Sequence, residues 1–432
     1  MGEGSSIRRV VACAVLVAAA AVLMPASAPA ATIAVDTTDD QFDTDSAHCS
    51  LREAIYSADS STHIATSTPP APIAPCTAGD KFVDADVIEL PPGTYTLTIG
   101  GRDENDAETG DLDIWEGLAI EGMPGGPVVI DGGGVDRVFQ LLSDPLVTLR
   151  NLTVTGGDAS APASIDETGG AVALTGIGNL AVERSTLSGN QADGSGGGIA
   201  AGATLSLSNS TVSGNTSTNA LGAGAIDAGL ATTLSLDHVT LTANAGGATG
   251  GVSTPSTGAT LHDSILAGNS GPNPDCSGTL GSAGGNVVGS TTGCTFNSVS
   301  SDALNVSALL GPLANNGGTT FTHALLSGSP AIDRGVATCA PTDQRGVARP
   351  QGPACDSGAF ERVPPPASSP PTTTATTTIP DLTPVVDPCP PLRKKLRKAK
   401  RKLRAARRAG DPTAKPRRKV RKLKRKLKRL GC

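Results

Sequence analysis

The sequence predicts an all-β chain wound as a parallel β-helix solenoid, with an N-terminal capping helix and a C-terminal basic α-helical hairpin. Three observations carry this. S-G-N-like turns recur at Asn190, Asn215, Asn244 and Asn269, spaced by 25, 29 and 25 residues, the period of a solenoid coil. Ten and eight residues before those asparagines stand Leu180/Val182, Leu205/Leu207, Leu234/Leu236 and Ala259/Leu261, an alternation of period two that marks a strand. With aromatics at 2% of 432 residues and glycine at 53, burial must come from aliphatic side chains in close, repetitive layers.

Leu187, Val212, Leu241 and Leu266 lie three residues before the asparagines, so the apolar parity switches from even to odd offsets. That switch requires a corner, which holds Glu183-Arg184, Ser208-Asn209, Asp237-His238 and His262-Asp263. Glycine-rich links such as Gly196-Gly197-Gly198-Ile199 permit tight turns and close backbone approach, and a further strand fits after them. The expectation is three short strands per coil over residues 87–335, roughly ten coils stacked at about 4.8 Å.

The ends are expected to be closed. Residues 1–30 read as an export signal: Arg8 and Arg9, an apolar run over residues 10–24, then Ala28-Pro29-Ala30 as a cleavage site. No later stretch approaches the ~20 apolar residues of a membrane span, so the mature chain is expected to be secreted, extracellular or at the cell surface. Residues 31–86 form an N-terminal cap in which Ser50 and Glu53 fit a capping box and Leu51, Ala54, Ile55 and Ala58 mark one helical face. Residues 336–362 are expected to cap the other end. The cysteines beyond the signal fall into close couples, Cys49 with Cys76, Cys276 with Cys294, Cys339 with Cys355 and Cys389 with Cys432. No couple has C-x-x-C spacing, so disulfides are expected rather than zinc, and nearest-neighbour pairing is one connectivity among many.

Cys49-Ser50-Leu51-Arg52-Glu53-Ala54, preceded by an Asp-rich strand, resembles the CSLREA domain of exported bacterial proteins. Val87-Ile88-Glu89-Leu90, Gly110-Asp111-Leu112-Asp113-Ile114 and Val129-Ile130-Asp131-Gly132 extend the resemblance into right-handed parallel β-helix repeats. Ser329-Pro330-Ala331-Ile332-Asp333, Asp343-Gln344-Arg345-Gly346 and Cys355-Asp356-Ser357-Gly358-Ala359-Phe360-Glu361 are similar to the choice-of-anchor Q domain. The resemblance implies a fold and an exported location, and brings no catalytic residues.

Because β-helices often act on polysaccharides, the corner is a candidate site. Glycoside hydrolysis needs two carboxylates at a defined separation, and Glu183, Asp237 and Asp263 stack on successive coils. Each has a basic or amide neighbour, so a self-neutralising ladder is the simpler account. Asp237, His238, His262 and Asp263 remain the candidate ligand-binding residues. No catalytic residue is assigned. Two acidic clusters, Asp36, Asp39, Asp40, Asp43 and Asp45, then Asp103, Glu104, Asp106, Glu108, Asp111 and Asp113, invite a structural calcium, but neither matches the D-x-[DN]-x-[DN]-G loop or the G-G-x-G-x-D repeat, and solvated acidic loops are the simpler account. No other cofactor is expected.

Charge is segregated along the chain. Residues 389–432 carry 22 Lys and Arg against Asp411 alone, whereas the preceding residues hold 12 basic and 39 acidic side chains. Between them, residues 363–388 form a Pro/Thr-rich linker. Leu392, Leu396, Ala399, Leu403 and Ala406, then Val420, Leu423, Leu427 and Leu430, describe two heptad seams broken at Gly410-Asp411-Pro412. An antiparallel hairpin would bring Cys389 to Cys432. Its remaining faces present Arg393, Lys394, Lys395, Arg397, Lys398, Arg417, Arg418, Lys419, Arg421, Lys422, Lys424 and Arg425, a polyanion-binding surface. The expected partners are anionic envelope polymers or an anionic lipid surface, with polysaccharide as a second candidate; export argues against nucleic acid in vivo. The chain therefore reads as a non-catalytic surface or adhesion-type rod, and the competing account is a polysaccharide-binding or polysaccharide-degrading β-helix enzyme.

Overall fold

A computed structural model describes residues 30–43, 47–59, 73–77, 85–102, 104–143, 145–160, 167–229, 233–336, 339–364, 394–401, 420–425 and 428. It separates into two units, residues 1–366 and residues 367–432. Residues 1–29 of the expected export signal, most of the Pro/Thr-rich linker, and Cys389 and Cys432 lie outside the described residues.

The first unit is a parallel β-helix. Leu180 pairs with Leu205, Leu205 with Leu234 and Leu234 with Ala259, all in parallel register. The strand after the corner stacks likewise, Leu187 on Val212, Val212 on Leu241 and Leu241 on Leu266. Both parities point inward, into one continuous aliphatic core, as the switch in the sequence requires. The corner residues that accomplish it are Asn151, Arg184, Asn209, His238 and Asp263, all at positive φ between 43° and 57°. Asn, Asp and His tolerate this left-handed conformation better than most residues, which is why four of these five positions carry them.

Three expectations are corrected. The middle coils have four strand positions, not three, because the asparagine turn continues into two-residue strands such as Gln191–Ala192 and Thr216–Ser217. The parallel stack on the post-corner face ends at Ala303–Leu304 after nine rungs, not near residue 335. From there the chain leaves the coil as an antiparallel pair, Leu310–Ala314 with Thr322–Leu325, and residues 329–361 do not lie across the rod's end. They run back along its flank, where Gln344 accepts a hydrogen bond from the Thr211 hydroxyl (2.7 Å) and donates to Thr186 (2.8 Å).

The physical reason is the outward column of the post-corner strands. It reads Thr153, Thr186, Thr211, Thr240, Ile265, Val287. Threonine hydroxyls offer hydrogen bonds and the aliphatic pair offers apolar surface, so the column invites a matching cover. His323 bonds Ser213 at 2.8 Å, the Ala359 amide donates to Thr240, and Leu325, Ala331 and Phe360 close over Ile265 and Val287.

Inside the coil, the repeated asparagines form a continuous ladder. Each side-chain amide donates to the next carbonyl oxygen: Asn190 to Asn215 (2.9 Å), Asn215 to Asn244 (3.0 Å), Asn244 to Asn269 (2.8 Å), and Asn269 to the carboxylate of Asp275 (2.8 Å). A chain of amides donating in one direction must end on a group that only needs to accept, and Asp275 is that group. Glycine fills the links for a steric reason. A Cβ at Gly170, Gly197, Gly224 or Gly250 would stand 2.3–2.4 Å from a backbone carbonyl oxygen of the next coil.

At the N-terminus, helix α1 (Leu51–Asp59) forms where the capping box predicts it. The Glu53 amide donates to Ser50 Oγ (3.2 Å) and the Ser50 amide donates to Glu53 Oε2 (2.9 Å). Leu51, Ala54, Ile55 and Ala58 are buried over the first strands. Disulfides join Cys49 to Cys76, Cys276 to Cys294 and Cys339 to Cys355, the nearest-neighbour pairing.

Asp59 ends α1 buried against the first coil. Burial pushes its carboxyl up to about 8, against the opposing amides of Glu116 and Trp115. In the unfolded chain it ionises near 3.8, so between those values the native state holds a proton that the unfolded state has released. Stability from this group is therefore present at pH 4 and falls as pH rises towards 8. In thermal melts at pH 5 and pH 8, the Asp59→Asn variant is expected to lose part of the wild-type decline; an unchanged slope would show that Asp59 ionises normally.

Candidate functional site

Two successive coils place four ligand-type side chains in a square at the corner. Asp237 pairs in register with His262, and His238 and Asp263 follow them in the left-handed corner conformation. The order reverses between coils, Asp-His above His-Asp. Each imidazole therefore has a carboxylate beside it along the chain and another across the coils. Asp237 Oδ1 lies 2.6 Å from His238 Nδ1 and 2.9 Å from His262 Nδ1. On the far side of the rings, Asp263 Oδ2 lies 3.4 Å from His238 Nε2 and 3.7 Å from His262 Nε2.

The square is graded in exposure. His238 and Asp263 are buried, His262 is 19% exposed and the Asp237 side chain 47% exposed, so it opens to solvent on the Asp237 side. Burial works to raise the Asp237 carboxyl, but the hydrogen bonds from both histidines outweigh it and hold its pKa below the ordinary value. Burial raises Asp263, opposed only in part by the Val336 amide and the imidazoles. Asp263 is also a dock for the flank segment: the Val336 amide donates to its Oδ1 (3.0 Å) and the Gly358 amide to its carbonyl (2.7 Å). The sequence brings all four candidates to one place; what it does not disclose is the C-terminal segment laid against them.

Elsewhere the corner is neutralised between coils rather than within one, since Arg184 donates to Asn151 Oδ1 (3.0 Å) and not to the adjacent Glu183. Arg150 Nε lies 2.8 Å from Glu183 Oε2, and its guanidinium reaches Glu121 at 3.7 Å. A cleft of about 340 Å³ opens beside it, walled by Met123, Arg184 and the flank residues Thr319 and Arg345.

The acidic clusters are used internally. Asp40 pairs with Arg52 and accepts from the Thr98 and Ile99 amides. Asp36 accepts from the Cys49 amide. Arg137 reaches Asp111 at 2.9 Å, and Asp113, pushed up to about 9 by burial and by its neighbour Asp111, accepts from Ala107. Asp45 and Asp103 lie outside the described residues. Among the described residues, three or more ligand-type side chains converge at the histidine corner.

In the second unit, residues 394–401 and 420–425 are helical, with Lys394, Lys395, Arg397, Lys398, Arg421, Lys422, Lys424 and Arg425 exposed. On the seams, Leu396, Val420 and Leu423 are partly covered and Ala399 is buried. Arg393, Arg417, Arg418, Lys419, Cys389 and Cys432 lie outside the described residues. Among the described residues, no helix is long and apolar enough to cross a membrane.

These features define a disulfide-bonded parallel β-helix braced along one flank by its own C-terminal segment. Comparison with protein-family models and with curated proteins gives no match.

Proposed function

We propose that the chain is an exported β-helix protein of the CSLREA and choice-of-anchor Q kind, held at the cell envelope by electrostatic attachment of residues 389–432 to anionic polymers. The observation that supports it is charge segregation: 22 of the 34 Lys and Arg lie in those residues. Where helix is described there, the cations are exposed while the seam residues are buried or partly covered. A cationic helical face attracts phosphate- or carboxylate-rich surfaces, and salt screens the attraction within about 10 Å at 0.1 M. The acidic preceding part would gain nothing from such a surface, so attachment belongs to the tail alone. The residues similar to the terminal family motifs have structural work in the fold, which fits a display scaffold rather than an enzyme.

The test is fractionation of cells expressing the full chain and a variant lacking residues 389–432. The full chain is expected to stay with the envelope at low salt and to elute, roughly tenfold or more, by 0.5 M salt. The truncated chain is expected in the medium at either salt. Equal retention of both would refute the anchor.

A further inference from the structure

We propose that Asp237, His238 and His262 form a binding site for one borderline divalent transition-metal ion of the zinc class, with Asp263 as the carboxylate that orients both histidines. Asp237 Oδ1 and the ring nitrogens of His238 and His262 all lie within 4.8 Å of one another. They face the solvent-open side of the square, where a water can complete the coordination. Cys355 lies nearby but is tied to Cys339 in a disulfide, so it offers no thiolate.

Proton bookkeeping argues for the ion. A neutral imidazole carries one N–H. If both Nδ1 atoms use it on Asp237, both Nε2 lone pairs are turned towards the Asp263 carboxylate, and His238 Nε2, fully buried, makes no hydrogen bond. A cation on the Nδ1 side reverses the arrangement. The Nδ1 lone pairs bind the metal, the protons move to Nε2, and Asp263 accepts them. This is the carboxylate–histidine–metal relation that fixes tautomer and ring orientation in metalloproteins. Asp263 is suited to the role because it is buried and its other oxygen is held by the Val336 amide.

The donor set selects the class of metal. Two imidazoles and one carboxylate suit zinc, cobalt, nickel or copper, whereas calcium and magnesium require oxygen ligands. Bonds of about 2.0–2.2 Å to a tetrahedral ion separate its ligand atoms by about 3.4 Å. The present 2.6 and 2.9 Å spacings need only a small opening, which the half-exposed Asp237 side chain can make by rotation. Because Asp263 also docks the flank segment, an ion here would tie two coils and the C-terminal segment to one centre.

The experiment uses the tag-free, oxidised full chain, stripped with chelator and titrated with cobalt(II). One equivalent is expected to bind with the visible d–d absorption of a four-coordinate centre, and one equivalent of zinc should displace it. Zinc should raise the thermal midpoint by several degrees, while calcium and magnesium should not. His262→Ala and Asp237→Ala are expected to abolish the absorption. Neither residue sits in the strained corner conformation, so both variants should fold, as circular dichroism can verify. Asp263→Asn should weaken binding roughly 10–100-fold, and the exposed His48→Ala should leave it unchanged. The proposal is overturned by the absence of a cobalt spectrum, by a spectrum that survives in His262→Ala, or by sulfur charge-transfer bands that place the ion on cysteines.

Discussion

Replacing Asn215 by leucine is expected to destabilise the β-helix by about 3–5 kcal/mol, since each buried polar group left unsatisfied costs about 1–3 kcal/mol. Asn215 is fully buried. Its Oδ1 accepts from the Asn190 amide nitrogen (3.0 Å) and from Asn190 Nδ2 (2.9 Å), and its Nδ2 donates to Leu187 O and Asn244 Oδ1 (both 3.0 Å). Leucine branches at the same carbon, so the change opens no cavity, and its greater bulk adds an overpacking cost to the polar loss. Two donors of Asn190 lose their acceptor in a place that water does not reach. Coils of a solenoid contact mainly their neighbours, so the break should also divide the rod's cooperativity. Denaturant titration is expected to show a lower midpoint together with a shallower transition. A variant with the wild-type midpoint would mean that the ladder contributes no stability.

Replacing Arg52 by alanine is expected to cost a similar amount, but at one end of the rod. Removing one member of a buried ion pair costs about 3–5 kcal/mol because the other charge is left uncompensated. Arg52 and Asp40 are almost entirely buried, at 2.8 Å. The same guanidinium donates to the carbonyls of Ala107 and Asp111 (3.0 Å each) and of Gly110 (2.9 Å), so three acceptors are stranded as well. Lysine is expected to recover little, because a single ammonium cannot spread over the planar fork that guanidinium provides. Hydrogen exchange should accelerate in Leu112–Ile114 and Asp86–Leu90 while Thr204–Ser208 keeps its protection. Uniform acceleration along the chain would show that the cap controls the whole fold rather than its first coils.

The residues behind the N-terminal resemblance illustrate what sequence makes legible. Ser50 and Glu53 announce the helix start because both capping partners lie within one turn. Cys49, Leu51 and Ala54 follow as disulfide, core and core. Arg52 does not disclose its role in the same way: its acceptors lie 55–59 residues onward, and no local period links them. The corner square divides similarly. Stacking of Asp237 on His262 follows from the repeat, but the contact of Asp263 with Val336 spans 73 residues and belongs to a segment with no repeat of its own. One signal was available for the flank. A column of threonines at one position of successive coils, ending in Ile265 and Val287, is too apolar at one end and too regular in hydroxyls at the other for a surface that faces only water.

By itself the sequence determined the coil, its period, the two inward parities, the corner between them and the capping helix. Each of these is set by contacts within one turn or between adjacent repeats, so hydrophobic periodicity and turn chemistry suffice. The tertiary structure alone decided where the coil ends, which outward column is covered, and that Gln344 reaches back 158 residues to Thr186. Those choices depend on complementarity between a repeating face and a non-repeating segment. Such complementarity is a property of two surfaces once folded, and it leaves no period in the chain.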